Sequence, residues 1–199
     1  MGFSTILDVI GSTFIGGILL LTLMRLQSNA SDNQVTFGHD KTIQSDLAYV
    51  AETIENDFRK MGYCADPYKI TDTTKLIYKA EINAITFRAD INQDSSLDKI
   101  EYYIGSTSQM SHTPNPNDRI LYKRINGGLP LKLSYGITSF NLEYFDVFQD
   151  TLKLPITDTR KIALIKVSFQ IEDPDAYNKK YSKASWSQLR LTGRNLRKR

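Results

Sequence analysis

The stretch from Phe3 to Met24 constrains this chain more than any other part of it. Its side chains are apolar apart from a few hydroxyls and one charge, Asp8, and it ends at Arg25, Gln27, Ser28 and Asn29. A helix rises ~1.5 Å per residue, so a run of this length spans roughly 30 Å, the hydrocarbon thickness of a bilayer. Helix is the one open structure that satisfies all of its own backbone polar groups in lipid. Residues 3–26 are therefore expected to form a single membrane-spanning helix. The core helix of a soluble domain is the plainer alternative. An ordinary cleaved secretory signal fits less well, because it would carry a basic region ahead of the apolar run. Asp8 bears on function, since a carboxylate at lipid depth is costly unless something pairs with it.

After the anchor, residues 41–199 suffice for one domain with one core. A net charge of +3 is too small to argue for nucleic acid, and none is expected as a partner. Cys64 is the sole cysteine, which excludes an intrachain disulfide. It reads as a buried thiol, with pairing between chains as the alternative.

Residues 27–40 read as a polar connector, and a second helix is expected over 41–61. Its apolar residues Ile43, Leu47, Val50, Ile54, Phe58 and Met61 fall three and four apart, on one helical face. Asp40 suits the start of that helix, Arg59 and Lys60 suit its C-terminal dipole, and Gly62 suits its end. From Leu76 onward the period changes to two. Ile85, Phe87 and Ala89 alternate with polar residues, as do Ile100, Tyr102 and Ile104. The same holds for Phe140, Leu142 and Tyr144, and for Ile165, Val167, Phe169 and Ile171. Such alternation marks antiparallel strands with one buried face. Asn126-Gly127-Gly128 signals a tight turn between two strands, and residues 106–118 an irregular loop. The expected fold class is α+β: a long N-terminal helix, half membrane-spanning and half amphipathic, packed on an antiparallel sheet over residues 62–199.

One segment has the spacing of a calcium loop. Asp90, Asn92, Asp94, Asp98 and Glu101 fall at loop positions one, three, five, nine and twelve, with Ser96 among them as a further oxygen ligand. Calcium takes several such oxygens. Ser95 stands where a glycine is usual, so it must supply the sharp bend. The competing reading is a polar hairpin turn with no metal. Either role is structural. No other cofactor is indicated, and no histidine, cysteine, phosphate-loop or nucleophile pattern suggests catalysis. The C-terminal end carries Arg190, Arg194, Arg197, Lys198 and Arg199, read as a solvated tail or a contact for an acidic surface.

The opening Gly2-Phe3-Ser4-Thr5-Ile6, the carboxylate of Asp8 and the later segment Phe58-Arg59-Lys60-Met61-Gly62-Tyr63 resemble the type IV pilins and type II secretion pseudopilins. The likeness is to a large minor pilin, and Arg194-Asn195-Leu196 resembles the end of such a domain. In that family a peptidase cuts after the glycine of a Gly-Phe-Thr-Leu-Ile-Glu motif and the new N-terminus is methylated. The glutamate, fifth in the mature chain, pairs with the terminal amine of a neighbouring subunit. The resemblance implies a short leader, Met1-Gly2, processing between Gly2 and Phe3, and an assembly role for Asp8. This chain departs from the motif in two respects: Leu7 holds the fifth place, with Asp8 one later, and the leader has no basic residue. The implied partners are other pilin-like subunits, the bacterial inner membrane and an assembly motor platform. The domain would be extracytoplasmic and reach a filament or the cell surface after assembly. A signal-anchored extracytoplasmic binding protein that stays in the inner membrane is the alternative.

Overall fold

The computed structural model describes residues 2–70, 76–174 and 182–191. Helix α1 runs without interruption over Gly2–Arg59. Seven strands follow: β1 (Ile77–Ala80), β2 (Ala84–Ala89), β3 (Asp98–Ile104), β4 (Arg119–Ile125), β5 (Leu131–Phe145), β6 (Leu164–Glu172) and β7 (Lys183–Leu191). The chain divides into two compact units, Met1–Lys41 and Thr42–Arg199.

The continuity of α1 corrects the expected connector over 27–40 and the expected new helix start near Asp40. Polarity alone does not end a helix. The segment has no proline, and its one glycine, Gly38, is only a weak breaker. With no break there is no cap for Asp40 to supply. The far end of the helix is as expected: Gly62 has φ 72°, the left-handed conformation that glycine adopts at no steric cost.

In the second unit the strands form one antiparallel sheet in chain order, β1 to β7. The alternating residues pair in register, Phe87 with Ile100 and Phe140 with Phe169. The turn after β4 has positive φ at both Asn126 (51°) and Gly127 (72°), as a tight right-twisted hairpin requires. The sheet curls, so that the β1–β2 turn meets β5. There Leu142 N donates to Ile82 O at 2.7 Å, and the Tyr144 hydroxyl donates to Glu81 O at 2.7 Å. One apolar core joins Ile43, Val50, Ile54 and Phe58 of α1 to the inward residues of the strands. Val50, Ile54 and Phe58 are fully buried. The helix thus covers one face of the sheet by the stripe its spacing predicted. Cys64 is buried as a free thiol.

Candidate functional site

Among the described residues, 3–26 hold the longest run of exposed large apolar side chains. Phe3 is 80% exposed and Phe14 69%, and none of the membrane-length apolar window is buried inside the protein. Length and composition make this the one candidate membrane span among the described residues. Several of its hydroxyls bond back to the helix. Ser12 and Thr13 donate to Val9 O at 3.0 and 2.7 Å, and Thr22 donates to Ile18 O at 2.8 Å. Such back-bonding removes polar groups from a surface that lipid or another helix would cover. Gly11, Gly16 and Gly17 have nothing within 4 Å of a Cβ built on them, so no described residue requires them to be small. Beside Gly17 the side chains of Phe14, Ile18 and Leu21 border an open apolar depression. Asp8 stands exposed amid this surface, without an ion pair or side-chain hydrogen bond among the described residues. Gly2 and Phe3 begin the described helix.

The loop of Asp90 is organised by hydrogen bonds from backbone amides. Asp90 Oδ2 accepts hydrogen bonds from Ala65 N and Ser95 N, each at 3.0 Å. Asp90 N in turn donates to Tyr63 O at 2.8 Å. The residue therefore staples the exit of α1 to the β2–β3 loop. Burial opposes its charge, but the amides of Ala65, Ser95, Gln93 and Asp94 outweigh that and hold its carboxyl below the usual range. Ser95 does supply the sharp bend, at φ 66°. Asn92 Nδ2 donates to Asp94 Oδ2 at 2.8 Å, and Asp94 Oδ1 accepts from Ser96 N at 2.7 Å. Asp98 Oδ1 accepts from Asn126 Nδ2 at 2.7 Å.

Glu101 lies outside the loop altogether. It sits on the opposite face of β3 from Ile100 and Tyr102, paired with Lys99 at 2.8 Å and with the guanidinium of Arg124 on β4. Burial opposes its charge too, and the two cations more than offset this and lower its pKa. Among the described residues no group of three or more His, Cys, Asp or Glu side chains is placed to hold a metal ion. In this geometry strand alternation sends position twelve, Glu101, away from position one, Asp90. Asp90→Ala is expected to lose about 1–3 kcal/mol for each amide it orphans, whether or not calcium is present. Thermal melts at millimolar calcium and in chelator check this, and equal midpoints for the wild type are expected. A rise of several degrees in calcium, abolished by Asp94→Ala, would instead show the loop reorganising around an ion.

A second polar cluster was not anticipated. Asp57 lies on the buried stripe of α1 and is 5% exposed. It accepts a hydrogen bond from the Tyr102 hydroxyl of β3 and pairs with Lys123 of β4 at 2.5 Å. Burial first, and the Asp57 charge next, push the Tyr102 hydroxyl well above the ordinary tyrosine range, so it remains a donor. The signal in the sequence was positional: Asp57 falls three residues after Ile54 and seven after Val50, on the apolar face. The basic residues Arg194, Arg197, Lys198 and Arg199 lie outside the described residues, as do Met1, Asn195 and Leu196, and Arg190 is described only as part of β7.

Comparison of the sequence with protein-family models and with characterised proteins finds no match. What the fold and the site define is a class: an α+β protein whose N-terminal helix is long and apolar enough to cross a membrane.

Proposed function

We propose that this protein is a structural assembly subunit of the type IV pilin and pseudopilin kind, resembling a large minor pilin, and not an enzyme. The observation that carries the reading is the apolar helix, uncovered over residues 3–26 and continuous with a helix whose later turns cover an antiparallel sheet. In this reading the helix rests in the inner membrane as a single span until the motor platform extracts it. It then packs among the helices of other pilin-like subunits in a filament core. The three glycines that no described residue requires to be small let those helices approach closely. Asp8 pairs with the terminal amine of a neighbour, made available by cleavage after Gly2 and methylation at Phe3. The domain stays extracytoplasmic and faces outward.

Asp8→Ala tests the reading. Removing a charge from the span favours partition into lipid by about 2–3 kcal/mol, so insertion is not impaired. The variant is expected in the membrane at the wild-type level and depleted at least tenfold from sheared filaments. Equal recovery in filaments would remove Asp8 from assembly.

One observation favours a second reading, a signal-anchored binding protein that never leaves the bilayer. Leu7 holds the place of the family's glutamate, and on a helix Asp8 lies about 100° from that position. Under this reading neither wild type nor variant enters filaments.

A further inference from the structure

We propose that Asn126 is a site of covalent modification, where the side chain loses ammonia to the backbone nitrogen of Gly127. A clasp from Lys99 and Asp98 holds this reaction in check in the folded chain. Asn126 is the one asparagine in the sequence that glycine follows. After every other asparagine a Cβ or a proline ring crowds the attacking nitrogen, and glycine brings neither. The turn presents the pair to water. Asn126, Gly127 and Gly128 are all exposed. Gly128 N takes the hydrogen bond that closes the turn, donating to Ile125 O at 2.9 Å. The Gly127 amide makes no hydrogen bond among the described residues, so its proton is open to solvent hydroxide.

The reaction needs only the chain and water. Hydroxide takes the Gly127 N–H proton, and the nitrogen attacks Asn126 Cγ. A new N–Cγ bond closes a succinimide ring as the Cγ–Nδ2 bond breaks, and ammonia departs with a proton from water. Water then adds at one ring carbonyl or the other, leaving aspartate or isoaspartate at position 126. Nothing is oxidised or reduced. The folded geometry opposes the attack. Asn126 Oδ1 accepts from Lys99 N and Nδ2 donates to Asp98 Oδ1, each at 2.7 Å. Asn126 N also donates to Lys99 O at 2.8 Å. These bonds tie the carboxamide to the start of β3, and the side-chain pair must break before Cγ swings onto Gly127 N. Such opening is local, at an exposed hairpin end, and leaves the core folded. Conversion then undoes the clasp from within. In the aspartate product an oxygen replaces Nδ2, donates nothing to Asp98 and carries charge of the same sign.

Peptide mapping by mass spectrometry of the full chain, aged in detergent micelles at mildly alkaline pH, tests this. The peptide holding Asn126 is expected to gain the mass of an amide-to-acid exchange about tenfold faster than any other asparagine peptide, because only its neighbour lacks a Cβ. Isoaspartate should be among the products. Asp98→Ala removes the acceptor of Nδ2 and is expected to speed the gain about threefold, the share that one hydrogen bond can hold. Asp98→Asn keeps an oxygen in that place and should age at the wild-type rate. Conversion at Asn126 no faster than at the other asparagines overturns the site. Equal rates in Asp98→Ala and Asp98→Asn overturn the clasp.

Discussion

Phe58→Ala is expected to lose about 3–5 kcal/mol of stability, the usual range for removing a large buried aromatic. The ring is fully buried at the centre of the helix–sheet contact. It meets Phe87 edge-on at 5.2 Å between centroids and Tyr102 at 5.6 Å, while those two rings lie nearly parallel to each other. Truncation empties a space bounded by rings on different strands, which cannot all close in together. A domain has a margin of only about 5–15 kcal/mol, so a large share of it is at stake. Glu52→Ala, on the exposed side of the same helix, should stay within about 0.5 kcal/mol. Denaturant midpoints of the unit from Thr42 onward measure both. Similar midpoints for the two variants would contradict the packing of the helix on the sheet.

Asp57→Ala should be as damaging for a different reason. It leaves the Lys123 ammonium, whose side chain is 11% exposed, without its counter-charge, and the Tyr102 hydroxyl without its acceptor. Breaking a buried pair from one side costs about 3–5 kcal/mol, because the partner's desolvation is no longer offset. Replacing the whole cluster by apolar groups of similar size is a milder change. Asp57→Leu/Tyr102→Phe/Lys123→Met should therefore recover most of the loss seen in Asp57→Ala. The same denaturation curves decide it. A triple variant less stable than Asp57→Ala would mean that the cluster stabilises the fold by more than its own mutual satisfaction.

The strands that were legible in the sequence are those with one face buried and a regular pleat. In β2, β3, β5 and β6 the inward residues alternate strictly over the diagnostic stretch. Strand β4 hid itself because both of its faces are covered: Leu121 lies in the main core, Ile120 and Tyr122 pack with Met110 in a second cluster, and its inward Lys123 is charged. The amphipathic stripe of α1 was legible because burial imposes its spacing. The continuity of the helix through 27–40 was not, because solvent exposure leaves the residues there free to be polar without ending the helix. The spacing of Asp90 to Glu101 was legible as chemistry but not as direction. Alternation with Ile100 and Tyr102 already placed Glu101 on the far side of the sheet. Asp57 was passed over because an acid on an apolar stripe shows its role only when Tyr102 and Lys123 are seen beneath it.

Assembly through a processed N-terminal helix is the centre of this account, and the mature N-terminus tests it most directly. Mass spectrometry of the chain recovered from sheared filaments should find it beginning at Phe3, with the mass of one methyl group added at its amine. A chain found only in the membrane fraction, still carrying Gly2 ahead of an unmodified Phe3, would contradict it.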